Sequence, residues 1–579
     1  MKALLSGNEA IARGAYEAGC HFAASYPGTP ATEILESIAK YKEIRAEWST
    51  NEKVALEVAS GASIAGARTI VSMKHVGLNV AADPLFTLSY LGVNGGLVIV
   101  TADDPECHSS QNEQDNRQYG RAAKVPVLEP SDSQEAKDFT KLAFDISEEF
   151  DTPVIVRITT RIAHSFSPVE LEDRIEHKIK GYTKNIEKYL CLPAHARKRR
   201  YFVEERLKKL AQYGETAPIN RIEWGDKKLG IITCGIAYQY VKEVFPQASV
   251  LKIGMVYPIP PNLIRNFIEE IEKNSGEVYV VEERDPFLES EIKFLGFKVK
   301  GKEKVPVIGE LNQAILRNSF THTPPGPSPR PHLPGRPPVL CPGCPHRGVF
   351  YVIKRLRLHA TGDIGCYTLG ALPPLNAMDT CLCMGASISQ AWGMEAVLGD
   401  EIASKLVACI GDSTFLHSGI TPLIDLVYNK GRTTVIILDN RTTAMTGHQP
   451  HPGTGFTAKG EEGRLIKLEE IARACGVNRV KIVDPYNLKE VEETLKEEVA
   501  TDEPSVIIAR RPCALRTKPE APFYVDAEKC NSCKVCLGLG CPAIIWKDGK
   551  AYIDELLCNG CSLCQQVCKF EAIVRKSEG

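Results

Sequence analysis

The sequence lacks the features that mark secreted, membrane-embedded or nucleic-acid-binding proteins. Its first residues, MKALLSGNEA, contain no apolar core of a signal peptide, and no apolar run approaches the length needed to cross a bilayer. The 70 lysines and arginines balance 72 aspartates and glutamates, so the net charge of −2 gives no reason to expect nucleic acid or an anionic membrane as a partner. No convincing dinucleotide-binding fingerprint is present. We therefore expect a cytoplasmic protein without an NAD site.

Cysteine, in contrast, is abundant. The chain has 20 cysteines in 579 residues. In a cytoplasmic protein such cysteines are more often metal or redox ligands than disulfide partners. The length allows about three to five domains. A hydrophobic content of 43% and a charged content of 25% are typical of globular proteins.

One stretch in the second half combines two strand patterns with two oxygen donors. It predicts, in order, a strand, a turn, a helix and a second strand: residues 406–410, 411–413, 422–428 and 433–438. A right-handed strand–helix–strand unit places both carboxyl ends at one edge of a parallel sheet. Asp412 and Asn440 follow the two strands, 28 positions apart. Hard oxygen ligands at one edge suit Mg²⁺, which keeps positions for water and phosphate oxygens.

A helix that begins near Gly385 adds small residues where a diphosphate could approach backbone N–H groups. Together these residues resemble the GD…N diphosphate motif of thiamine diphosphate enzymes, with Ser413 where many members have glycine. The resemblance implies thiamine diphosphate and Mg²⁺ as cofactors, the metal being held by Asp412, Asn440 and the backbone carbonyl of Thr442. The alternative is a strand–turn–helix unit of any α/β protein.

Residues 1–160 alternate helix and strand patterns and predict an α/β domain. Three of its segments, YPGTP, the pair Asn51-Glu52 and Asn116-Arg117-Gln118, resemble the pyrimidine-binding domain of 2-oxoacid:ferredoxin oxidoreductases. The resemblance implies that Glu52 bonds the aminopyrimidine ring of the cofactor and activates it, and that Thr29 and Arg117 contact the substrate.

Two of these roles have simpler alternatives. The alternative for Glu52 is that its negative charge simply stabilises the positive end of the helix that begins there. The planar guanidinium of Arg117 suits a 2-oxoacid carboxylate, but Arg117 could also be a surface arginine on a polar loop.

The middle of the chain predicts a connector, a small domain and a linker. Periodicity weakens over residues 161–228, which we interpret as a solvated connector. Residues 229–310 predict three strands separated by helices, and resemble the transketolase C-terminal domain of the same enzymes. Residues 311–338 are expected to form a linker, since eight prolines occur in the fifteen positions 324–338.

Residues 339–515 predict the second thiamine-diphosphate-binding α/β domain, which begins with CPGCPHRG. A CxxC pair alone could be a zinc site, redox-active or inert. The resemblance to ferredoxin oxidoreductases implies a proximal [4Fe–4S] cluster held by four cysteines: Cys341, Cys344, Cys366 and Cys513. The alternative is that these four are structural. Cys381 and Cys383 are interpreted as packing residues.

The segment Thr446-Gly447-His448-Gln449 resembles a TGGQ loop near the diphosphate in this family, with His448 replacing a glycine. The resemblance implies that Thr446 and His448 belong to the cofactor site. His448 and His451 could carry protons at neutral pH, or could simply be solvated loop residues.

The tail carries the most specific pattern. Eight cysteines occur in 39 residues, in two runs of similar spacing: Cys530, Cys533, Cys536 and Cys541, then Cys558, Cys561, Cys564 and Cys568. This matches bacterial two-cluster ferredoxins, in which the fourth cysteine of each run ligates the opposite cluster. One residue is added in the first run, and Lys569 replaces the second proline. We predict a small α+β domain over residues 520–579 with two [4Fe–4S] clusters, in which Cys568 joins the first run and Cys541 the second.

The whole order of domains resembles the 2-oxoacid:ferredoxin oxidoreductases, in the branch that acts on arylpyruvates such as indolepyruvate. The resemblance implies oxidative decarboxylation with coenzyme A to acyl-CoA and CO₂, with electrons passing through the clusters to ferredoxin. It also implies a small β subunit carrying the γ-type domain, for which no segment is left here, and an α2β2 assembly. The alternatives are a pyruvate-type enzyme, a non-oxidative thiamine decarboxylase, and a non-catalytic electron-transfer subunit.

Overall fold

A seven-stranded sheet lies at the centre of the first of two units. The computed structural model describes residues 1–321 and 335–576, and the chain divides into Met1–Pro331 and His332–Gly579. In spatial order the strands are Met255–Tyr257, Val127–Leu128, Val154–Thr159, Leu97–Asp103, Thr69–Lys74, Phe22–Ser25 and Arg45–Trp48. All neighbours are parallel except the edge strand Met255–Tyr257. The inner strands are buried throughout, as parallel sheets covered on both faces require.

Helices alternate with these strands: Gly7–Glu17, Thr32–Ile38, Glu52–Ile64, His75–Val80, Ala82–Leu91, Arg117–Ala123, Ser133–Phe150 and Thr160–His164. Local sequence sets where they begin. Ser6 and Glu9 form a reciprocal capping box, and the side chain of Asp132 accepts a hydrogen bond from the Glu135 N–H. None of the helices within residues 1–321 and 335–576 combines the length and the apolar composition needed to span a bilayer.

A four-stranded sheet completes the first unit, and its make-up differs from the predicted domain boundaries. Its strands, in spatial order, are Glu277–Val281, Asp226–Thr233, Ala248–Lys252 and Arg221–Glu223. Arg221–Glu223 comes from the predicted connector. Met255–Tyr257 comes from the predicted small domain, residues 229–310, but pairs with the seven-stranded sheet. One hydrophobic core contains side chains of both sheets, Ile99 and Ile232 among them. Strands of two or three residues have too few positions to show a sequence period, so these exchanges could not be predicted.

The remaining elements of the first unit include two corrections. The predicted solvated connector contains a strand, Phe166–Glu170, paired with Lys2–Ser6. The charged helical stretch that the sequence indicates over residues 203–213 is observed as part of a longer helix, Pro193–Gly214, which is not fully solvated because it buries Val203 and Leu210. The predicted linker begins too early, because the helix Gln313–Thr321 packs Leu316 into a hydrophobic cluster. Most of the proline-rich segment, residues 322–334, lies outside the described residues. The other helices here are Ile186–Tyr189, Ala237–Val244, Pro261–Lys273 and Phe287–Phe294.

The second unit is built on a six-stranded parallel sheet. In spatial order its strands are Thr380–Cys381, His359–Gly362, Leu406–Gly411, Thr434–Asp439, Ser505–Arg510 and Arg479–Val483. Its main helices are His346–Leu356, Ala386–Leu398, Ile420–Tyr428, Leu468–Ala474 and Leu488–Glu498. The helix after Leu406–Gly411 begins earlier than predicted, since Asp412–Thr414 and a π-helical turn, Phe415–Gly419, lead directly into Ile420–Tyr428. Such π turns are frequent at functional sites.

The cysteine-rich tail belongs to this second unit. It contains the antiparallel pair Phe523–Val525 and Ile573–Arg575, the hairpin Ile544–Lys547 and Lys550–Ile553, and the short helix Leu563–Val567. Tail residues such as Leu539 and Ile573 share a hydrophobic core with Val349 and Phe350 of the helix His346–Leu356. The predicted α+β character is observed, and the tail packs on the domain that precedes it.

Candidate active site

Asp412 and Asn440 lie side by side at the edge of the six-stranded sheet. They follow the adjacent parallel strands Leu406–Gly411 and Thr434–Asp439. Asp412 Oδ2 accepts a hydrogen bond from the backbone N–H of Arg441 at 2.9 Å, and Oδ1 accepts one from the Ser413 N–H at 2.9 Å. Both Asp412 and Asn440 are buried. The predicted juxtaposition of the two strand ends is therefore observed.

Two buried histidines surround this pair. His451 Nε2 lies 3.1 Å from Asp412 Oδ2, and Asn440 Nδ2 lies 3.4 Å from His346 Nε2. Burial raises the pKa of Asp412, but His451, the Ser413 N–H and His346 together outweigh burial and hold the pKa below its ordinary value. Burial lowers the pKa of His346 to about 4, so that imidazole is neutral at pH 7. His346 was not predicted, although it belongs to the CPGCPHRG motif.

The loop after Asn440 folds back on this edge. The Thr442 N–H donates to Asn440 Oδ1 at 3.2 Å, and the hydroxyls of Thr443 and Ser413 lie 3.0 Å apart. Thr446 Oγ1 donates to Gln449 Oε1 at 2.6 Å. His448 has a φ of +71°, a left-handed conformation that favours glycine and explains why the resembling motif has glycine here.

Gly385 precedes the helix Ala386–Leu398, where the sequence predicts that backbone N–H groups face a diphosphate. Its N–H donates to Asp363 Oδ1 at 2.9 Å, and the Ser387 N–H donates to Oδ2 of the same carboxylate at 3.1 Å. These donors therefore bind an internal carboxylate in the structure. Gly385 has a φ of +89°, and a Cβ there would lie 2.5 Å from the Ser418 carbonyl oxygen. Burial raises the pKa of Asp363 to about 6, despite the N–H donors.

The donor set at this edge fits Mg²⁺. Asp412 provides an ionised carboxylate, and Asn440 and the neighbouring backbone add neutral oxygens, which are the hard ligands that Mg²⁺ prefers. These residues can hold the metal of a diphosphate.

In the first unit, Glu52 lies at the start of the helix Glu52–Ile64, behind the cap provided by Asn51. The side chain is buried and packs on Gly77, where a Cβ would lie 2.7 Å from Glu52 Oε1. Thr29 is half-buried in the turn that follows the strand Phe22–Ser25. Lys74 ends a neighbouring strand, and burial lowers its pKa to about 8. The sequence does not single out Lys74 as a site residue, because a lysine at the end of a strand is common and belongs to no motif here.

The substrate role predicted for Arg117 is not supported by its surroundings. The guanidinium is fully buried and bonded to the carboxylates of Asp115 and Glu282 and to the carbonyl oxygen of Glu283 at 3.0 Å. Arg157, also fully buried, binds Asp103 at 2.8 Å in the same region. All the donors of Arg117 therefore have protein acceptors, so it serves as an internal ion-pair partner instead of a carboxylate receptor. The pattern of residues around Arg117 could not reveal this, since Glu282 lies 165 positions away.

The eight tail cysteines form two separate sets around two cavities. One cavity is lined by Cys541, Cys558, Cys561 and Cys564. A second cavity is lined by Cys530, Cys533, Cys536 and Cys568. Both are the crossed sets that the sequence predicts. We call them the inner set and the outer set, because Pro342, Gly343 and Arg347 line the first cavity while Cys533 of the second is exposed.

The predicted proximal set is also gathered in one place. Burial, together with the nearby Cys513 and Cys341, raises the pKa of Cys366 to about 11. Cys366 and Cys341 likewise lie close enough to Cys344 to raise the pKa of its thiol. Within residues 1–321 and 335–576, no three cysteine sulfurs lie within 4.8 Å of one another. A tetrahedral zinc site would hold its sulfurs closer together than this.

A direct contact joins the proximal set to the oxygen-donor site. The backbone N–H of Cys513 donates to the carbonyl oxygen of Asn440 at 2.9 Å. The second unit thus contains, in contact with one another, a site suited to a metal diphosphate and a cysteine set suited to a redox cluster.

Comparison with known families defines the class of protein. Residues 13–201 match a model described as pyruvate flavodoxin/ferredoxin oxidoreductase, thiamine diP-bdg. Residues 363–509 match thiamine pyrophosphate enzyme, C-terminal TPP binding domain, and residues 551–574 match 4Fe-4S binding domain. The chain is therefore an α/β multidomain protein with N- and C-terminal thiamine-diphosphate-binding domains and an iron–sulfur domain.

Individual relatives narrow this class. Indolepyruvate oxidoreductase subunit IorA of Archaeoglobus fulgidus is 44% identical over 99% of this chain and 97% of its own. The subunit of the same name from Pyrococcus horikoshii is 42% identical over 100% of this chain and 97% of its own. 2-Oxoglutarate synthase subunit KorA of Archaeoglobus fulgidus is 27% identical over 48% of this chain and 90% of its own. The chain belongs to the indolepyruvate oxidoreductase subunit IorA family of 2-oxoacid:ferredoxin oxidoreductases.

Proposed function

We propose that this chain is the catalytic subunit of a complex that oxidatively decarboxylates arylpyruvates, indolepyruvate among them, with ferredoxin as electron acceptor. The names of the relatives provide the substrate class. The observation that carries the proposal is the hydrogen bond between Cys513 and Asn440, which joins the thiamine-type site to a cysteine set. A decarboxylase that used thiamine alone would need no redox cluster beside its cofactor.

The overall reaction balances as follows. The bond between the carboxylate and the keto carbon of the substrate breaks and releases CO₂, and a C–S bond to coenzyme A forms. Two electrons leave the keto carbon and reduce two oxidised ferredoxins by one electron each. The proton of the coenzyme A thiol passes to solvent.

Each unit contributes its own residues to this chemistry. Thiamine diphosphate, when bound, supplies the carbon nucleophile and the electron sink. Asp412, Asn440 and the carbonyl of Thr442 would bind Mg²⁺ and thereby hold the diphosphate, with Ser413, Thr446 and His448 beside it. Glu52 would hold a proton at the aminopyrimidine, and Thr29 would contact the substrate.

The clusters are proposed to act in a fixed order. The proximal, inner and outer sets would each hold an iron–sulfur cluster able to carry one electron, and the inner set would stand between the other two, since residues of the CPGC loop line its cavity. The exposure of Cys533 in the outer set supports exit to ferredoxin from there. A small β subunit carrying the γ-type domain would complete an α2β2 complex.

The test is ferredoxin reduction by the complex purified anaerobically with its small subunit. Indolepyruvate and coenzyme A should both be required, with pyruvate and 2-oxoglutarate turned over at least about tenfold less efficiently, a discrimination that a preformed pocket commonly achieves. Pyruvate as the preferred substrate would indicate the pyruvate-type alternative. Aldehyde formation without ferredoxin reduction would indicate the non-oxidative decarboxylase, and a failure to bind thiamine diphosphate would indicate an electron-transfer subunit.

A further inference from the structure

Arg347 is a buried cation that lies between two of the cysteine sets. It belongs to the helix His346–Leu356, three positions after Cys344, and its side chain is among the largest that are fully buried. It lines the cavity of the inner set. Its backbone N–H also donates to the carbonyl oxygen of Cys344 in the proximal set at 3.2 Å.

The guanidinium bonds only to backbone carbonyl oxygens. One terminal nitrogen donates to Leu539 at 2.7 Å, and the other donates to Leu340 at 2.7 Å and to Cys341 at 3.0 Å. These acceptors come from the segments that carry the first proximal cysteine and the inner Cys541. The buried Nε has no hydrogen-bond partner within residues 1–321 and 335–576.

Arg347 differs in its counter-charge from the other buried arginines. Arg117 and Arg157 contact carboxylates directly. Arg206 bonds only to carbonyls among the described residues, and burial lowers its pKa to about 10, but the carboxylate of Asp151 lies close enough to oppose that lowering. Arg347 forms no ion pair with a carboxylate anywhere in the described parts of the chain, and cysteine sets flank it instead. A buried guanidinium without an anion is costly, so a negative group is expected nearby.

We propose that Arg347 is the shared counter-cation of the proximal and inner iron–sulfur clusters and raises their reduction potentials. The inference rests on the cluster chain of the proposed function. Four thiolates outweigh the positive charge of an iron–sulfur core, so a loaded cluster is an anion, and reduction adds one further negative charge. A fixed cation in a dry interior therefore stabilises the reduced form more than the oxidised form. The outer cluster, which does not share Arg347, should be insensitive to it.

The test is a dithionite titration of the anaerobically purified complex, followed by EPR, in wild type, Arg347→Gln and Arg347→Lys. Arg347→Gln should make the proximal and inner clusters harder to reduce by at least tenfold in the equilibrium, which is about 59 mV for a one-electron couple. Arg347→Lys, which keeps the charge, should recover most of this shift. The outer cluster provides an internal reference. Arg206→Gln is the matched control, since it removes a similarly buried arginine from the other unit and should leave all potentials unchanged.

Three results would overturn the proposal. Unchanged potentials in an Arg347→Gln complex with full iron content would exclude the electrostatic role. Equal loss of iron from Arg347→Gln and Arg347→Lys would show that the fork of hydrogen bonds matters and the charge does not. An iron content of only two clusters in the wild type would mean that no proximal cluster exists for Arg347 to share. Because dithionite replaces the substrate, these outcomes are independent of whether arylpyruvates are the substrate.

Discussion

The carboxylate of Asp412 accepts a hydrogen bond at 2.9 Å from the backbone N–H of Arg441, 29 positions further along the chain. This contact ties together the ends of two adjacent parallel strands and fixes Asp412 beside Asn440. The contacts of Asp412 with His451 and the Ser413 N–H help to hold its pKa below the ordinary value, so the carboxylate is ionised at pH 7. The positions of the two oxygen donors proposed to bind the metal are therefore fixed by the protein itself.

Replacing Asp412 by alanine should abolish tight binding of thiamine diphosphate. The substitution removes a proposed metal ligand, and even outer-shell partners of metals cost about 10–100-fold in affinity. Calorimetric titration at fixed Mg²⁺ should show a loss of at least that size. Asp425→Ala, on the exposed face of the helix Ile420–Tyr428, is the control and should bind normally. Unchanged affinity in Asp412→Ala would move the metal site elsewhere.

Replacing Glu52 by glutamine should reduce kcat by about 10²–10⁴-fold while the cofactor still binds, because a positioned proton-transfer group typically contributes that much. The assay is ferredoxin reduction at saturating thiamine diphosphate. Glu57→Gln, on the exposed side of the same helix, should retain wild-type rates. Gly77→Ala should show a partial loss, since its Cβ would displace the Glu52 carboxylate.

The crossed cysteine sets predict which clusters are lost together. Cys568→Ser should affect the same cluster as Cys536→Ser, and Cys541→Ser the same one as Cys564→Ser, each with a loss of about four irons per chain. Iron analysis and EPR of the reduced protein distinguish the two pairs. Cys475→Ser, outside all three sets, should keep its full iron content. Loss of the same cluster in Cys541→Ser and Cys536→Ser would contradict the assignment of these cysteines to different cavities.

The stability of the first unit should depend on pH because the side chain of Glu283 is buried. Burial raises its pKa from 4.5 to about 7, and its Oε2 has no hydrogen-bond partner within the described residues. The unfolded carboxyl therefore releases its proton at lower pH than the folded one, so stability falls as pH rises from about 4.5 to about 7. Glu283→Gln should be more stable than wild type at pH 8, by on the order of 2 kcal/mol.

Thermal unfolding measured at pH 5 and at pH 8 checks this. The advantage of Glu283→Gln should be small at the lower pH, and the exposed control Glu269→Gln should show no such difference. An advantage of equal size at both pH values would mean that the ionisation of Glu283 is not its cause.

The features that the sequence predicted well are encoded locally. The spacing of the tail cysteines determines their two sets, and the strand patterns place Asp412 and Asn440 at one edge.

The features that could not be predicted depend on contacts between distant positions. Asp363 binds the N–H groups of Gly385 and Ser387, and nothing in the sequence around Asp363 indicates this. Arg117 was assigned to the substrate by resemblance, but its ion pairs come from Glu282 as well as the nearby Asp115. The strands Arg221–Glu223 and Met255–Tyr257 are too short to predict, and their sheet partners decide which domain they join.

The most direct measurement mixes the anaerobic complex with indolepyruvate in the absence of ferredoxin and records EPR spectra of samples frozen during the first turnover. The account predicts that the clusters become reduced by the substrate, and that Glu52→Gln prevents this although dithionite still reduces them. Formation of the aldehyde while every cluster stays oxidised would contradict the coupling between the thiamine site and the cysteine sets.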